Sequence, residues 1–213
     1  MQFITDPATI EKNSMEIIAP YLVNLGLPDP EIKVFSRIIH AAGDPDYSNH
    51  IKIHPAAIAA GIEAIKNGAD IFCDVEMVRT GINKNSLATW GGTVHSLIAD
   101  PDVAEVAKYL GITRSMAAVR AFGERLNGAV VAIGNAPTAL FEVIRLMTTE
   151  NIRPALIVGV PVGFVGAAES KKLLFETSRV PYVTVLGTKG GSPIAAATVD
   201  AILYLALPRK EFE

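Results

Sequence analysis

With 213 residues, half of them hydrophobic and only 19% charged, the chain holds enough apolar surface to fill the core of one ordinary domain, which excludes a disordered or low-complexity protein. A formal net charge of -3 without any basic block removes the electrostatic footprint that nucleic-acid binding needs. The single cysteine, Cys73, excludes an internal disulfide framework and a cysteine-built zinc site.

The first stretch reads as helix. Thr5-Asp6-Pro7 sets a capping side chain before a proline suited to a first helical turn, and Ile10, Met15, Ile17, Ile18 and Leu22 form a rough stripe up to Leu25-Gly26. Asp29-Pro30 opens a second helix that runs to Ala42 and stops at Gly43, and residues 55–66 suggest a third. From there short apolar runs alternate with helical stretches. The runs at 70–73, 94–98, 129–133, 155–160 and 182–186 read as buried strands. Between and after them, 102–110, 115–126, 137–148, 167–177 and 193–205 read as helices. Strands that are apolar throughout and separated by helices predict an α/β three-layer sandwich on a mostly parallel sheet, with extra helices at the N-terminus and a single domain over 1–213. Every apolar run is broken by charge, Gly or Pro before the roughly 20 residues of a membrane span, and Met1 to Pro7 lacks the pattern of a secretory leader. The expectation is a cytoplasmic protein with neither a membrane nor a nucleic-acid partner.

In such a sheet, ligands bind beyond the carboxyl ends of the strands. The segments found there are Asp74 to Val78, Gly134-Asn135-Ala136-Pro137-Thr138, Pro161 to Gly166 leading to Glu169-Ser170-Lys171, and Gly187-Thr188-Lys189-Gly190-Gly191-Ser192. Three of the four are glycine-rich turns into a helix start, where free N–H groups favour anions. None has the Gly-x-Gly-x-x-Gly spacing, and Lys189 precedes its glycines in the wrong order for a P-loop, so nucleotide binding is disfavoured. Candidate contacts for a carboxylate or phosphate ligand are therefore Gly134, Asn135, Thr138, Gly163, Gly166, Ser170, Lys171, Lys189, Gly190, Gly191 and Ser192, with capping the competing role for Ser170 and Ser192.

Among ionisable groups, His40 stands out. It shares a helix face with Arg37, away from the stripe of Ile32, Phe35, Ile38, Ile39 and Ala42. It also falls in the last turn, where the negative end of the helix favours a cation. His50 and His54 flank Ile51-Lys52-Ile53 without a helical metal-ligand geometry, and His95 sits in a predicted strand, so no metal is expected. Cys73 reads as a buried thiol. Asp74 and Glu76 suit either acid–base work or helix capping, and no Gly-x-Ser-x-Gly elbow is present.

Three stretches carry a resemblance. They are Arg37-Ile38-Ile39-His40-Ala41, Cys73-Asp74-Val75-Glu76-Met77-Val78, and Val131-Ala132-Ile133-Gly134-Asn135-Ala136-Pro137-Thr138-Ala139-Leu140. With Pro161-Val162-Gly163-Phe164-Val165-Gly166-Ala167-Ala168-Glu169-Ser170-Lys171, they make the chain similar to the precorrin-8X (cobalt-precorrin-8) methylmutases of cobalamin biosynthesis over nearly its whole length. The resemblance implies a cofactor-free homodimeric isomerase that moves a methyl group from C-11 to C-12 of a corrin-type macrocycle. It places the family's active-site histidine on His40, the proton donor, and its serine and arginine on Ser14 and Arg114. Arg37 would support substrate binding. A non-catalytic corrinoid carrier and a sugar-phosphate isomerase remain alternative readings of the same residues.

Overall fold

The computed structural model describes residues 3–207. Helix α1 (Pro7–Ile18) starts as expected, with Asp6 accepting the Thr9 N–H at 2.8 Å and Pro7 in the first turn. It ends earlier than the hydrophobic stripe suggested, because Pro20 breaks the path into two 3-10 turns, Ala19–Tyr21 and Val23–Leu25. Helix α2 (Asp29–Ala42) has Asp29 and Glu31 in its first turn. It stops at Gly43, whose left-handed φ of 62° lets its N–H reach the carbonyls of Ile39 and His40.

After the short α3 (Tyr47–His50) come strand β1 (Ile51–Ile53), α4 (Ala57–Lys66), β2 (Ile71–Cys73), α5 (Glu76–Gly81), α6 (Lys84–Ala88) and β3 (Val94–Ser96). The remainder follows the expected alternation: α7 (Pro101–Leu110), α8 (Arg114–Phe122), β4 (Val130–Ile133), α9 (Pro137–Thr149), β5 (Leu156–Gly159), α10 (Ala167–Thr177), β6 (Tyr182–Val185) and α11 (Ser192–Ala206). Four elements were not foreseen, α3 being a single turn too short to show a stripe. Strand β1 has only three residues, too few for a periodic signal, and α5 and α6 lie in a stretch without a long apolar stripe. Of the run at 94–98, only Val94, His95 and Ser96 pair with β2.

The six strands order β1-β6-β5-β4-β2-β3, all neighbours parallel except the antiparallel edge pair β1–β6. Alternation along the strands builds two cores. Ile71, Cys73, Val130, Ala132, Leu156, Val158, Val183 and Val185 pack with α2, α4 and α11 on one face. Phe72, Val131, Ile133, Ile157 and Tyr182 pack with residues of α8, α9 and α10 on the other. Each fully buried Ile, Leu or Val contributes about 1.5–3 kcal/mol relative to an exposed one, so both faces matter to stability. Gly134 permits a close approach of the sheet's end to the helices: a Cβ there would lie 2.8 Å from Ser192 Cα and 2.7 Å from Val78 Cγ2. No helix among the described residues is long and apolar enough to cross a membrane.

Candidate active site

The carboxyl ends of β2 to β6 share one edge of the sheet, and the candidate residues converge on it from both helical layers. His40 is exposed in the last turn of α2. The chain then passes Gly43 to Asp44 and Asp46, which hold the Lys189 ammonium at 2.6 and 2.8 Å in the loop after β6. Because β1 runs antiparallel to β6, with Ile51 opposite Val185, this segment lies at the carboxyl end of β6. Arg114 comes to the edge from the opposite layer. It is the first residue of α8 and exposed, and the preceding Thr113 Oγ1 lies 2.9 Å from Thr138 Oγ1 in the first turn of α9, directly after β4. Within the chain, His40 and Arg114 therefore stand on opposite faces of the sheet at the same end.

Ser14 belongs to the outer helix α1, half-buried, its hydroxyl donating to Ile10 O at 2.8 Å. Arg37 ties that helix to α2: its guanidinium donates to Glu11 at 2.7 Å and lies over the Tyr204 ring, 5.5 Å from the centroid. Arg37 also borders a mostly apolar cavity of about 570 Å³ between α1, the 3-10 turns, α2 and α11, lined by Met15, Leu22, Leu27, Ile32 and Leu205 among others. His40, Ser14 and Arg114 do not line it.

The three glycine-rich turns differ in what fills them. At the β4–α9 turn, the buried Asp74 carboxylate accepts the N–H groups of Gly134 at 3.0 Å, Asn135 at 2.8 Å and Ala136 at 2.7 Å. Burial pushes the Asp74 carboxyl upward, and those three donors pull against it. The expectation that the Gly134 amide receives a substrate carboxylate is corrected here, because Asp74 already occupies it. Asn135 keeps an exposed side chain, and Thr138 spends its hydroxyl on Thr113.

The other two turns are laced together. Gly163 N–H donates to Thr188 O at 3.1 Å and Gly191 N–H to Val160 O at 2.9 Å, so both amides are spent within the loops. Gly190 allows this closeness, since a Cβ on it would strike the Val160 carbonyl. Lys171 was expected to face the ligand but is fully buried beneath them, its ammonium donating to Lys189 O. Burial lowers its pKa to about 8. Ser170 is likewise buried, its hydroxyl turned to Ala167 O at 3.1 Å, and Ser192 is buried at the start of α11. Lys189 is committed to Asp44 and Asp46, which it holds below their usual carboxylate range. Helices α10 and α11 begin at Gly166 and Gly191 without a side-chain cap, leaving their first turns without an internal acceptor of the kind Asp74 supplies to α9.

Sequence reasoning missed the apolar tip of the β5–α10 loop. Phe164 is 94% and Val165 89% exposed, and Met77 of α5 is exposed at the carboxyl end of β2. An aromatic and a valine in succession between two loop glycines were the available signal. The other histidines are engaged elsewhere: His95 Nε2 lies 2.9 Å from Asp70 Oδ2 and its ring stacks on Phe72, while His50 lies 3.1 Å from Asp46. Cys73 is buried, which drives its thiol pKa upward.

Fold and geometry together define an α/β protein with its strand-to-helix turns gathered at one end of a mostly parallel sheet, an exposed imidazole on one helical layer and an exposed arginine on the other. Comparison with known proteins places it more narrowly. The precorrin-8X methylmutase family model matches residues 9–205, and the chain belongs to that family. It is 43% identical over 209 residues to a cobalt-precorrin-8 methylmutase of Leptospira interrogans, covering 95% of both chains. It is 42% identical over 203 residues to a precorrin-8X methylmutase of Pseudomonas aeruginosa, covering 95% of this chain and 97% of that one. The crystal structure of a precorrin-8X methyl mutase from Thermus thermophilus superposes with a TM-score of 0.83 at 36% identity, covering 93% of this chain and 97% of that one. The protein is thus an enzyme, a methylmutase that shifts a methyl group within its substrate.

Proposed function

We infer that the enzyme moves the methyl group from C-11 to C-12 of precorrin-8X or cobalt-precorrin-8, giving hydrogenobyrinic or cobyrinic acid, with His40 donating a proton to the macrocycle. The observation that carries this reading is the exposed imidazole of His40 at the end of α2, on the edge where the strand-to-helix turns gather. A 1,5-shift is redox-neutral and has no leaving group. The protein's contribution is to hold the ring in one conformation and to place a proton where electron density must be drawn away. Arg114 and Ser14 assist, in roles carried over from the family resemblance. The active enzyme is a cytoplasmic homodimer with sites near its interface, and pairing two subunits is one way to set the α2 layer of one chain beside the α8 layer of another.

The substrate is a flat ring edged with acetate and propionate arms. Its faces call for apolar surface, and Phe164, Val165 and Met77 offer it at the strand ends. Its carboxylates call for N–H groups and positive potential. The uncapped starts of α10 and α11, with the Lys171 ammonium buried below and the Asn135 side chain beside them, meet that need.

A visible-absorption time course of the purified wild-type protein with each compound tests this reading. Conversion of either substrate to its corrin product is the expected result and identifies the pathway served. A shifted but static spectrum with both compounds describes a carrier and would overturn it.

A further inference from the structure

Asp74 follows the last residue of β2 and is inaccessible to solvent, and nothing in the chemistry above uses it. Its two carboxylate oxygens take three consecutive backbone N–H groups from a turn sixty residues further along the chain. Those amides open α9, whose own N-cap residue, Ala136, supplies no side-chain acceptor. The aspartate thus takes the place that a bound anion would take at this helix start. From it a line of contacts leads outward. Two residues past Ala136, after Pro137, stands Thr138, whose hydroxyl meets that of Thr113; Thr113 caps α8 by accepting the Met116 N–H at 3.2 Å, and Arg114 is the next residue. The Asn135 side chain leaves the same turn on the exposed side.

We propose that Asp74 is a positioning residue of the methyl-shift site: its carboxylate fixes the turn that presents Asn135 and, through the Thr138–Thr113 hydrogen bond, the first helical turn that carries Arg114. The proposal rests on reading Arg114 and Asn135 as site residues. It also directs the substrate's carboxylates away from α9, because an anion already lives there.

Asp74→Gly empties the space and leaves three amides that formate is small enough to fill. Turnover is measured with and without formate, together with the ¹⁵N resonances of the Gly134, Asn135 and Ala136 amides and of Arg114 Nε. Since misplacing a catalytic group by about 1 Å costs on the order of 100-fold, Asp74→Gly should lose about that factor in kcat through Arg114, with a smaller rise in KM from the displaced Asn135. Formate should recover about tenfold of it and return the Arg114 resonance towards its wild-type position, with no effect on the wild type. Asp74→Asn keeps the volume and fails to be rescued, which serves if the glycine variant does not fold. A folded variant with wild-type kcat and an unmoved Arg114 resonance overturns the proposal. So does formate that restores thermal stability without restoring turnover. Should the wild type convert neither compound, the functional reading fails, and the resonances of Arg114 and Asn135 still decide whether Asp74 positions them.

Discussion

Two turns at the same sheet edge, similar in sequence, are finished from inside by opposite charges. Gly134-Asn135 wraps around the Asp74 carboxylate through three N–H groups, whereas the loop at Lys189-Gly190-Gly191 closes over the Lys171 ammonium through a carbonyl. Both turns look like anion receivers when read as glycine followed by a helix start. The first has its anion built in, so its donors are spent. The second contains a buried cation with no carboxylate bonded to it, and that positive charge lies beneath two uncapped helix starts. A glycine-rich turn therefore identifies backbone geometry, while the buried residue beneath it decides what can bind.

The contrast can be broken most forcefully at Asp74. Replacing it with Leu leaves three buried N–H groups without acceptors, and unfolding by denaturant should show a loss of roughly 3–5 kcal/mol. A loss below about 1 kcal/mol would mean that the amides find other partners. The cationic turn answers through pH. The Lys171 pKa is lowered to about 8 in the folded protein against 10.5 unfolded, so above pH 8 the unfolded chain binds the extra proton and the folded one does not. Stability should accordingly rise between about pH 8 and 10.5, by up to roughly 3 kcal/mol, relative to a Lys171→Met variant measured in parallel. Identical pH slopes for the two proteins would contradict the uncompensated buried ammonium.

Gly134→Ala tests how tightly the anionic turn is pressed against the start of α11. The added methyl meets the Ser192 backbone, which has little freedom to retreat, so a cost of about 1–3 kcal/mol is expected in thermal unfolding. The smallest effect belongs to Lys189→Ala, which severs the clasp to Asp44 and Asp46. These groups meet solvent, and their attraction is screened, so the stability change should be slight and should shrink as salt is added. An unchanged substrate KM would show that the lysine holds the chain after His40, while a raised KM would return it to ligand binding.

Much of the fold was legible because its signals are local. Pro7 and Pro30 in first turns, Gly43 at a helix end, and strands apolar on both faces each declare their structure within a few residues. His40 was legible for the same reason, since helical spacing turns it from the apolar stripe. The rest depends on contacts between distant segments. Ile51–Ile53 becomes a strand only because β6 offers it an edge. Lys171 has the spacing of a surface residue at a helix start and is buried because the loop after β6 folds over it. The role of Asp74 spans sixty residues, so capping was one of two readings until β2 and β4 stood side by side.

The central claim is that His40 supplies the proton for the methyl shift without being needed to hold the ring. The most direct measurement is binding and turnover of the converted compound by His40→Ala on the same sample, binding read from the shift of its visible spectrum. The account predicts a spectral shift close to that of the wild type and a rate lower by about 100-fold or more, the scale of a lost general acid. Conversion at the wild-type rate would contradict it.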